Sequence, residues 1–257
     1  MENSYWWVAA FVTLLPAVPG NAWAQGTLTV VAYNIRHGAG MDGEVDLPRI
    51  AEALRALNAD VITLQEVDKN TERTGGVDRV AVLAELLGMR GFHGAHRPYQ
   101  GGEYGNAVLT RLPVRNVRTH ALPPSAGSAL TIHEVEIVGG AGRAISVVSV
   151  HLAGSPEERA AQADSVVSYF SDFDHPVILA GDFNSRRGDR VLVTLGRAWQ
   201  ILDKQGDVDT FPADVPDREI DFVMVRPAGA FELLEHRVIA EAMASDHRPI
   251  LATFRIW

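Results

Sequence analysis

The chain predicts an α/β fold, a sandwich in which two sheets pack face to face and helices cover the outside. Three observations carry that expectation. From Thr27 onward, apolar β runs are interspersed with stretches of helical periodicity. The C-terminal part is rich in β segments. Neither an internal repeat nor a low-complexity linker divides the 257 residues, and an apolar content of 47% is enough to fill one large core.

The elements follow in order. Leu28 to Tyr33 reads as a first strand. Leu47, Ile50, Leu54 and Leu57 recur at helical spacing behind Asp46, a suitable N-cap. Val61, Ile62 and Leu64 form a second strand that ends at Gln65-Glu66, and Val77 to Leu87 a second helix closed by Gly88. Four β segments come next: Asn106–Thr110, Val114–Leu122, Leu130–Val138 and Ala144–Leu152, with Pro123 to Ser128 as a loop between two of them. Ser155-Pro156-Glu157-Glu158 is a capping box with proline at the first helical position. Ala160, Ala163, Val167 and Phe170 are that helix's buried stripe. Val177 to Ala180 is an unbroken apolar run, the mark of a strand buried on both faces. Ile220–Val225, Phe231–Ile239 and Pro249–Ile256 complete the chain's β segments.

Composition narrows the function. A net charge of −9 argues against a protein built around the nucleic-acid backbone, which needs clustered Lys and Arg. The absence of cysteine removes disulfides, thiolate ligands and cysteine nucleophiles. Trp6 to Val18 is nearly all apolar and Ala22-Trp23-Ala24 gives a small-x-small cleavage pattern. Residues 1–24 therefore read as a signal peptide, cleaved after Ala24, ahead of one domain over residues 25–257, with a membrane anchor or a disordered leader as the alternative. Its n-region is atypical, with Glu2 and no Lys or Arg. No later segment is apolar enough to span a membrane.

Chemistry-bearing residues collect where strands end, the position at which a rigid strand holds a polar side chain at the mouth of a cleft. Gly181-Asp182-Phe183-Asn184 closes the Val177 strand. If this piece is extended, Asp182 and Asn184 share a face: the acid would orient or deprotonate a water and the amide would donate to a phosphate oxygen. The alternative is an Asx-turn. Glu66 is a loop acid or a ligand for a hard cation, and Asn34 a turn residue or its companion; together they would suit Mg²⁺, which prefers oxygen. Asp221 lies within an apolar run and needs a partner. His247 is the natural one, since an aspartate fixes the imidazole tautomer and favours its cation. His151 ends the Ile145–Val150 strand and would serve the leaving group or the phosphate, unless it is structural. Asn106 follows a glycine that permits close backbone approach, and Arg73 would clamp a phosphate. His37, His93, His96, His120, His133, His175 and His236 have no comparable context.

Seven segments then make a recognisable set: Tyr33-Asn34-Ile35-Arg36, Leu64-Gln65-Glu66-Val67, Tyr104-Gly105-Asn106-Ala107, Val150-His151-Leu152, Gly181-Asp182-Phe183-Asn184, Ile220-Asp221-Phe222-Val223 and Ser245-Asp246-His247-Arg248-Pro249. In kind and order the set resembles the endonuclease/exonuclease/phosphatase superfamily, over roughly residues 27 to 257. The resemblance implies a four-layer α/β/β/α sandwich of mixed, mostly antiparallel sheets, a Mg²⁺ or Mn²⁺ cofactor and hydrolysis of a phosphate ester. It makes Glu66 the principal metal ligand, with Asn34 nearby and Asp246 as a metal-side or water-binding acid. Asp182 then positions the attacking water, Asn184 holds the water or the phosphate, and His247, oriented by Asp221, stabilises the transferring phosphoryl group. His151 serves the phosphate or leaving group, and Asn106 and Arg73 remain candidates for phosphate contact.

The acidic balance, the scarcity of basic residues in the regions after Glu66 and before Asn106, and the lack of a segment resembling DNA-intercalating loops favour a non-nucleic-acid ester. The expectation is an exported, monomeric phosphodiesterase, secreted or periplasmic, acting on a phospholipid headgroup or an inositol phosphate. A secreted nuclease is the alternative within the fold. A binding protein that has lost catalysis is the alternative outside enzymology, though every core motif keeps its chemistry-bearing residue.

Overall fold

The computed structural model describes residues 26–256. The expected signal peptide, residues 1–24, lies outside the described residues.

Twelve strands and four α-helices follow one another along the described chain. The first sheet begins with β1 (Thr27–Asn34), which passes through α1 (Leu47–Arg55) into β2 (Val61–Lys69). α2 (Arg79–Leu87) leads to the hairpin of β3 (Arg90–Tyr99) and β4 (Gly102–Thr110). The second sheet takes over with β5 (Val114–Ser125), β6 (Ser128–Val138) and β7 (Ala144–His151), then α3 (Pro156–Tyr169) and β8 (Val177–Asp182). α4 (Arg190–Leu195), β9 (Gln200–Ile201) and β10 (Asp221–Arg226) finish it. The chain returns to the first sheet as β11 (Phe231–Val238) and β12 (Ile250–Ile256).

Strand order is β11-β12-β1-β2-β4-β3 in one sheet and β5-β6-β7-β8-β10-β9 in the other. Only β1/β2 and β7/β8 pair in parallel, each through a helix; every other pair is antiparallel. Three apolar clusters give the four layers. Val30, Ala32 and Val108 of the first sheet meet Val135, Val147, Ile178 and Val223 of the second in the middle. Ile50, Leu54 and Leu83 bind α1 and α2 to the outer face of sheet one, and Ala163, Val166, Leu192 and Leu195 bind α3 and α4 to sheet two.

Local signals set the helix limits. Asp46 Oδ1 accepts from Arg49 N–H at 2.9 Å, a cap worth about 1 kcal/mol. Ser155 and Glu158 form the capping box. Gly88 ends α2 at φ 63. α2 starts two residues later than its apolar pattern suggests because Asp78 caps it through Ala81 N–H. In α3 the buried stripe runs through Val166, with Val167 only half-buried.

Three elements are absent from the sequence reading: β3, β9 and α4. β3 contains Gly91, Gly94 and Pro98 and looks like a loop. It is an edge strand, where proline is tolerated. Gly94 is needed because a Cβ there would sit 2.3 Å from His133 Cγ. The stretch Pro123–Ser125 is likewise strand, and the reversal is confined to Ala126-Gly127.

Candidate active site

Both parallel pairs end at the same edge of the sandwich. Register places Asn34 beside Gln65 at the end of β1/β2, and His151 beside Asp182 at the end of β7/β8. The antiparallel partner β10 sets Asp221 against Asp182. The segment before β12 brings in His247, with Ser245 Oγ donating to the Asn34 carbonyl at 2.7 Å.

The two sheets are joined beneath this edge by polar bonds. Gln65 Nε2 donates to Ser149 Oγ at 2.9 Å, and Ser149 Oγ donates to the Leu64 carbonyl at 2.9 Å. Thr63 Oγ1 donates to the Ala180 carbonyl at 3.2 Å. Gly181 makes the close approach possible: it sits at φ 150, and a Cβ would lie 2.0 Å from the Val150 carbonyl oxygen and 2.9 Å from Gln65 Nε2.

Asp182 Oδ2 is the centre of the site. Asn34 Nδ2 donates to it at 3.2 Å and Asn184 Nδ2 at 3.2 Å, and the Nε2 atoms of His151 and His247 each lie 3.7 Å away. Asn34 Nδ2 also donates to Glu66 Oε1 at 3.1 Å. One carboxamide thus links the acid of sheet one to the acid of sheet two. Burial pushes the Asp182 carboxyl above the ordinary aspartate range, against the pull of the His247 cation. That makes it a stronger base than a surface aspartate.

The His247 ring packs tilted against Phe211, with ring centroids 4.7 Å apart, and its Nδ1–H donates to Asp221 Oδ2 at 3.0 Å. Asp221 is in turn fixed by Thr210 Oγ1, which donates at 2.6 Å. Burial alone would lower the imidazole pKa; the carboxylates of Asp221 and Asp182 overcome it and raise the pKa to about 10. His247 is therefore a buried cation across neutral pH, the pairing expected from the sequence. Thr210 and Phe211 carry no sequence signal, since they lie in a stretch without periodicity ahead of β10.

Other expected residues fall into different places. Asn184 is not extended: at φ 47 its N–H donates to Asp182 Oδ1 at 2.8 Å, closing an Asx-turn. Its Nδ2 is spent on the Leu152 carbonyl at 2.9 Å and on Asp182, so the side chain offers its oxygen rather than its amide hydrogens. Asn106 is fully buried and donates to the Ser149 carbonyl at 3.2 Å, a contact between sheets. Arg73 is bidentate on Asp68, at 2.6 and 2.7 Å, with Tyr99 and Tyr104 beneath it. Asp246 pairs with Arg36 Nε at 3.5 Å and accepts from Ser245 Oγ at 3.3 Å. His96 lies beside the site without having been singled out, 6.4 Å from the His151 ring, with its Nε2 buried and unpartnered.

Glu66 suits a hard divalent cation. A bulge between Leu64 and Val67 puts it at φ 58 and turns its half-buried carboxylate out of the ladder. Asn34 spaces the acids: its oxygen accepts from Arg36 N–H at 3.0 Å and its amide hydrogens face the carboxylates, so it does not present the oxygen expected of a ligand. Asp182, Asp221 and His247 also offer ligand atoms within 4.8 Å of one another, enough to hold one ion. In that trio, however, Asp221 Oδ2 already accepts two hydrogen bonds, and a protonated His247 has no lone pair to donate.

A model of the Endonuclease/Exonuclease/phosphatase family matches residues 31–247. "Uncharacterized protein YbhP" of Escherichia coli strain K12 is 25% identical over 247 residues, covering 90% of this chain and 98% of its own. The crystal structure of an endonuclease/exonuclease/phosphatase from Beutenbergia cavernae superposes with a TM-score of 0.71 at 24% identity, over 90% of this chain and 72% of that one. The Bacteroides thetaiotaomicron mannosyl-6-phosphatase Bt3783 does so with a TM-score of 0.68 at 18% identity, over 88% and 98%. Enzymes of the matched family are generally hydrolases of phosphate esters that depend on divalent metal. With its seven segments gathered at one edge of two six-stranded sheets and the family model spanning most of its length, this chain belongs to the endonuclease/exonuclease/phosphatase family.

Proposed function

We propose that the chain is an exported, monomeric, metal-dependent phosphodiesterase that hydrolyses a non-nucleic-acid ester, of phospholipid-headgroup or inositol-phosphate type, by in-line attack of water. The observation that carries the reading is the convergence on Asp182 Oδ2: a base, a cationic histidine and an amide link to Glu66 meet at one point. Glu66 would hold Mg²⁺ or Mn²⁺, with Asp246 on the same side. When bound, the ion supplies Lewis-acid charge at a phosphoryl oxygen.

The chain's own groups do the rest. Asp182, raised in pKa by burial, orients the water and takes its proton. His247 presents Nε2–H to the oxygen on which charge develops, and Asp221 with Thr210 keeps that imidazolium charged and aimed. His151, at the end of β7, lies 3.7 Å from the same carboxylate and serves the leaving oxygen. Asn184 holds the water or the phosphate through its free oxygen.

The acidic balance supports a non-nucleic-acid substrate, and the apolar leader with its cleavage pattern supports export to the periplasm or beyond. Among the described residues no helix is long and apolar enough to cross a membrane. A secreted nuclease is the second reading. The observation on its side is that Arg97 and Arg186 make no ion pair among the described residues, Arg97 stacking on Tyr104 at 5.0 Å. Incubating the protein and Mg²⁺ with bis-p-nitrophenyl phosphate and, separately, with plasmid decides between them. The proposed function predicts p-nitrophenol release and intact plasmid; plasmid degradation at low enzyme concentration contradicts it.

A further inference from the structure

A cavity of about 290 Å³ opens directly beside the catalytic histidine. His247, Asn184, Ile220 and Phe211 are among the residues that line it. Glu66 is not part of it. Three arginines, Arg159, Arg186 and Arg218, also line it.

The charges of these arginines are unequally matched. Arg218 is neutralised by Asp217 at 2.6 Å, with its guanidinium over the Phe211 ring at 5.1 Å. Arg159 is held by neutral acceptors, Ser185 Oγ at 3.2 Å and the Gly154 carbonyl, so it is fixed in place with its charge uncancelled. Arg186 is exposed and makes no ion pair among the described residues. The one acid in the wall, Asp189, accepts from Arg186 N–H at 2.8 Å. Three arginines set against the carboxylates of Asp189 and Asp217, the latter also within the field of Arg186, leave this small cavity with a surplus of positive charge in an acidic protein.

We propose that this cavity is a second anion subsite: it takes a phosphate carried by the substrate in addition to the one being hydrolysed. The inference rests on the phosphodiesterase reading and narrows its substrate to esters with two phosphates. Guanidinium forks match phosphate oxygens two at a time, and a pre-fixed Arg159 loses little freedom on binding. Ile220 and Phe211, whose ring already carries His247 and the Arg218 guanidinium, are the apolar residues of the lining. The volume, about 290 Å³, lies just below the roughly 300–1,000 Å³ typical of small-molecule pockets, which suits one ring with its phosphate.

The test uses two chromogenic diesters that differ only in the second anion: thymidine 5′-(p-nitrophenyl phosphate) and its 3′-phosphorylated counterpart. The wild-type protein should show a KM roughly tenfold lower for the 3′-phosphorylated ester. That ratio should collapse toward one in Arg186→Ala and Arg159→Gln, and Arg186→Lys should restore part of it. An equal KM for the two esters in the wild type, or a ratio that the variants leave unchanged, overturns the proposal. Calorimetric titration of metal-free protein with thymidine 3′,5′-bisphosphate and with thymidine 5′-phosphate reads the subsite without catalysis. If bis-p-nitrophenyl phosphate is not hydrolysed, the phosphodiesterase reading fails. Tighter binding of the bisphosphate, lost in Arg186→Ala, would still support the subsite, and equal binding would refute it.

Discussion

The two parallel strand pairs of this molecule are built alike and end differently. β1-α1-β2 and β7-α3-β8 each cross over through one helix and each deliver polar residues to the same edge. At the end of β1/β2 the ladder breaks at a bulge, and Glu66 leaves it at φ 58 with its carboxylate half exposed. At the end of β7/β8 the ladder stays intact, and His151 and Asp182 are buried. On the proposed function, the difference divides the work. An exposed carboxylate with spare lone pairs can receive a cation from solvent. A buried carboxylate beside a histidine cation has its proton affinity set by its surroundings. Asn34, donating to both acids, is where the halves meet.

Breaking one half at a time separates these roles. Glu66→Ala should have the largest effect, a fall of ~10³-fold in kcat with the melting temperature little changed, because the side chain is half exposed. Asp221→Asn should lower kcat by ~10²-fold and also move the pH profile. Wild-type His247, with its pKa raised to about 10, stays charged well above neutrality. Without the Asp221 charge the alkaline limb should shift down toward the ordinary value of 6.5. The linkage has a definite sign. The raised folded-state pKa stabilises the protein fully below about 6.5, and that contribution is lost as pH rises toward 10. Urea melts of wild type and Asp221→Asn across that window should converge at the alkaline end.

Smaller effects test the joint between the sheets. Gly181→Ala forces a Cβ to 2.0 Å from the Val150 carbonyl, and a loss of about 1–3 kcal/mol is expected in a thermal or denaturant melt. Ser149→Ala removes the hydroxyl between Gln65 and the Leu64 carbonyl, at a cost of about 1–3 kcal/mol, because Gln65 Nε2 is left without its partner. Its activity should fall far less than that of Glu66→Ala. Equal losses in the two variants would mean that the joint, and not the Glu66 carboxylate, limits the reaction.

Much of the site was legible because strand ends are. An apolar run that stops at Asp182, or an aspartate inside one at Asp221, marks a buried carboxylate, and His247 was the available partner. What escaped depends on backbone twists that no spacing records. Glu66 and Asn184 sit at positive φ, so the expected extended pairing of Asp182 with Asn184 became an Asx-turn. Asn34 was readable as a site residue but not the direction of its amide, which Arg36 N–H settles. Thr210 reaches Asp221 from an irregular stretch, and β3 was hidden because its glycines serve close packing rather than turns.

The most direct measurement is the rate of bis-p-nitrophenyl phosphate hydrolysis by EDTA-stripped protein as Mg²⁺ is returned, in wild type and in Glu66→Ala. Two halves forming one metal-dependent centre predict a rate near zero without metal, a saturable return with Mg²⁺ in the wild type, and none in the folded variant. A rate independent of metal, or a variant that recovers like the wild type, would contradict it.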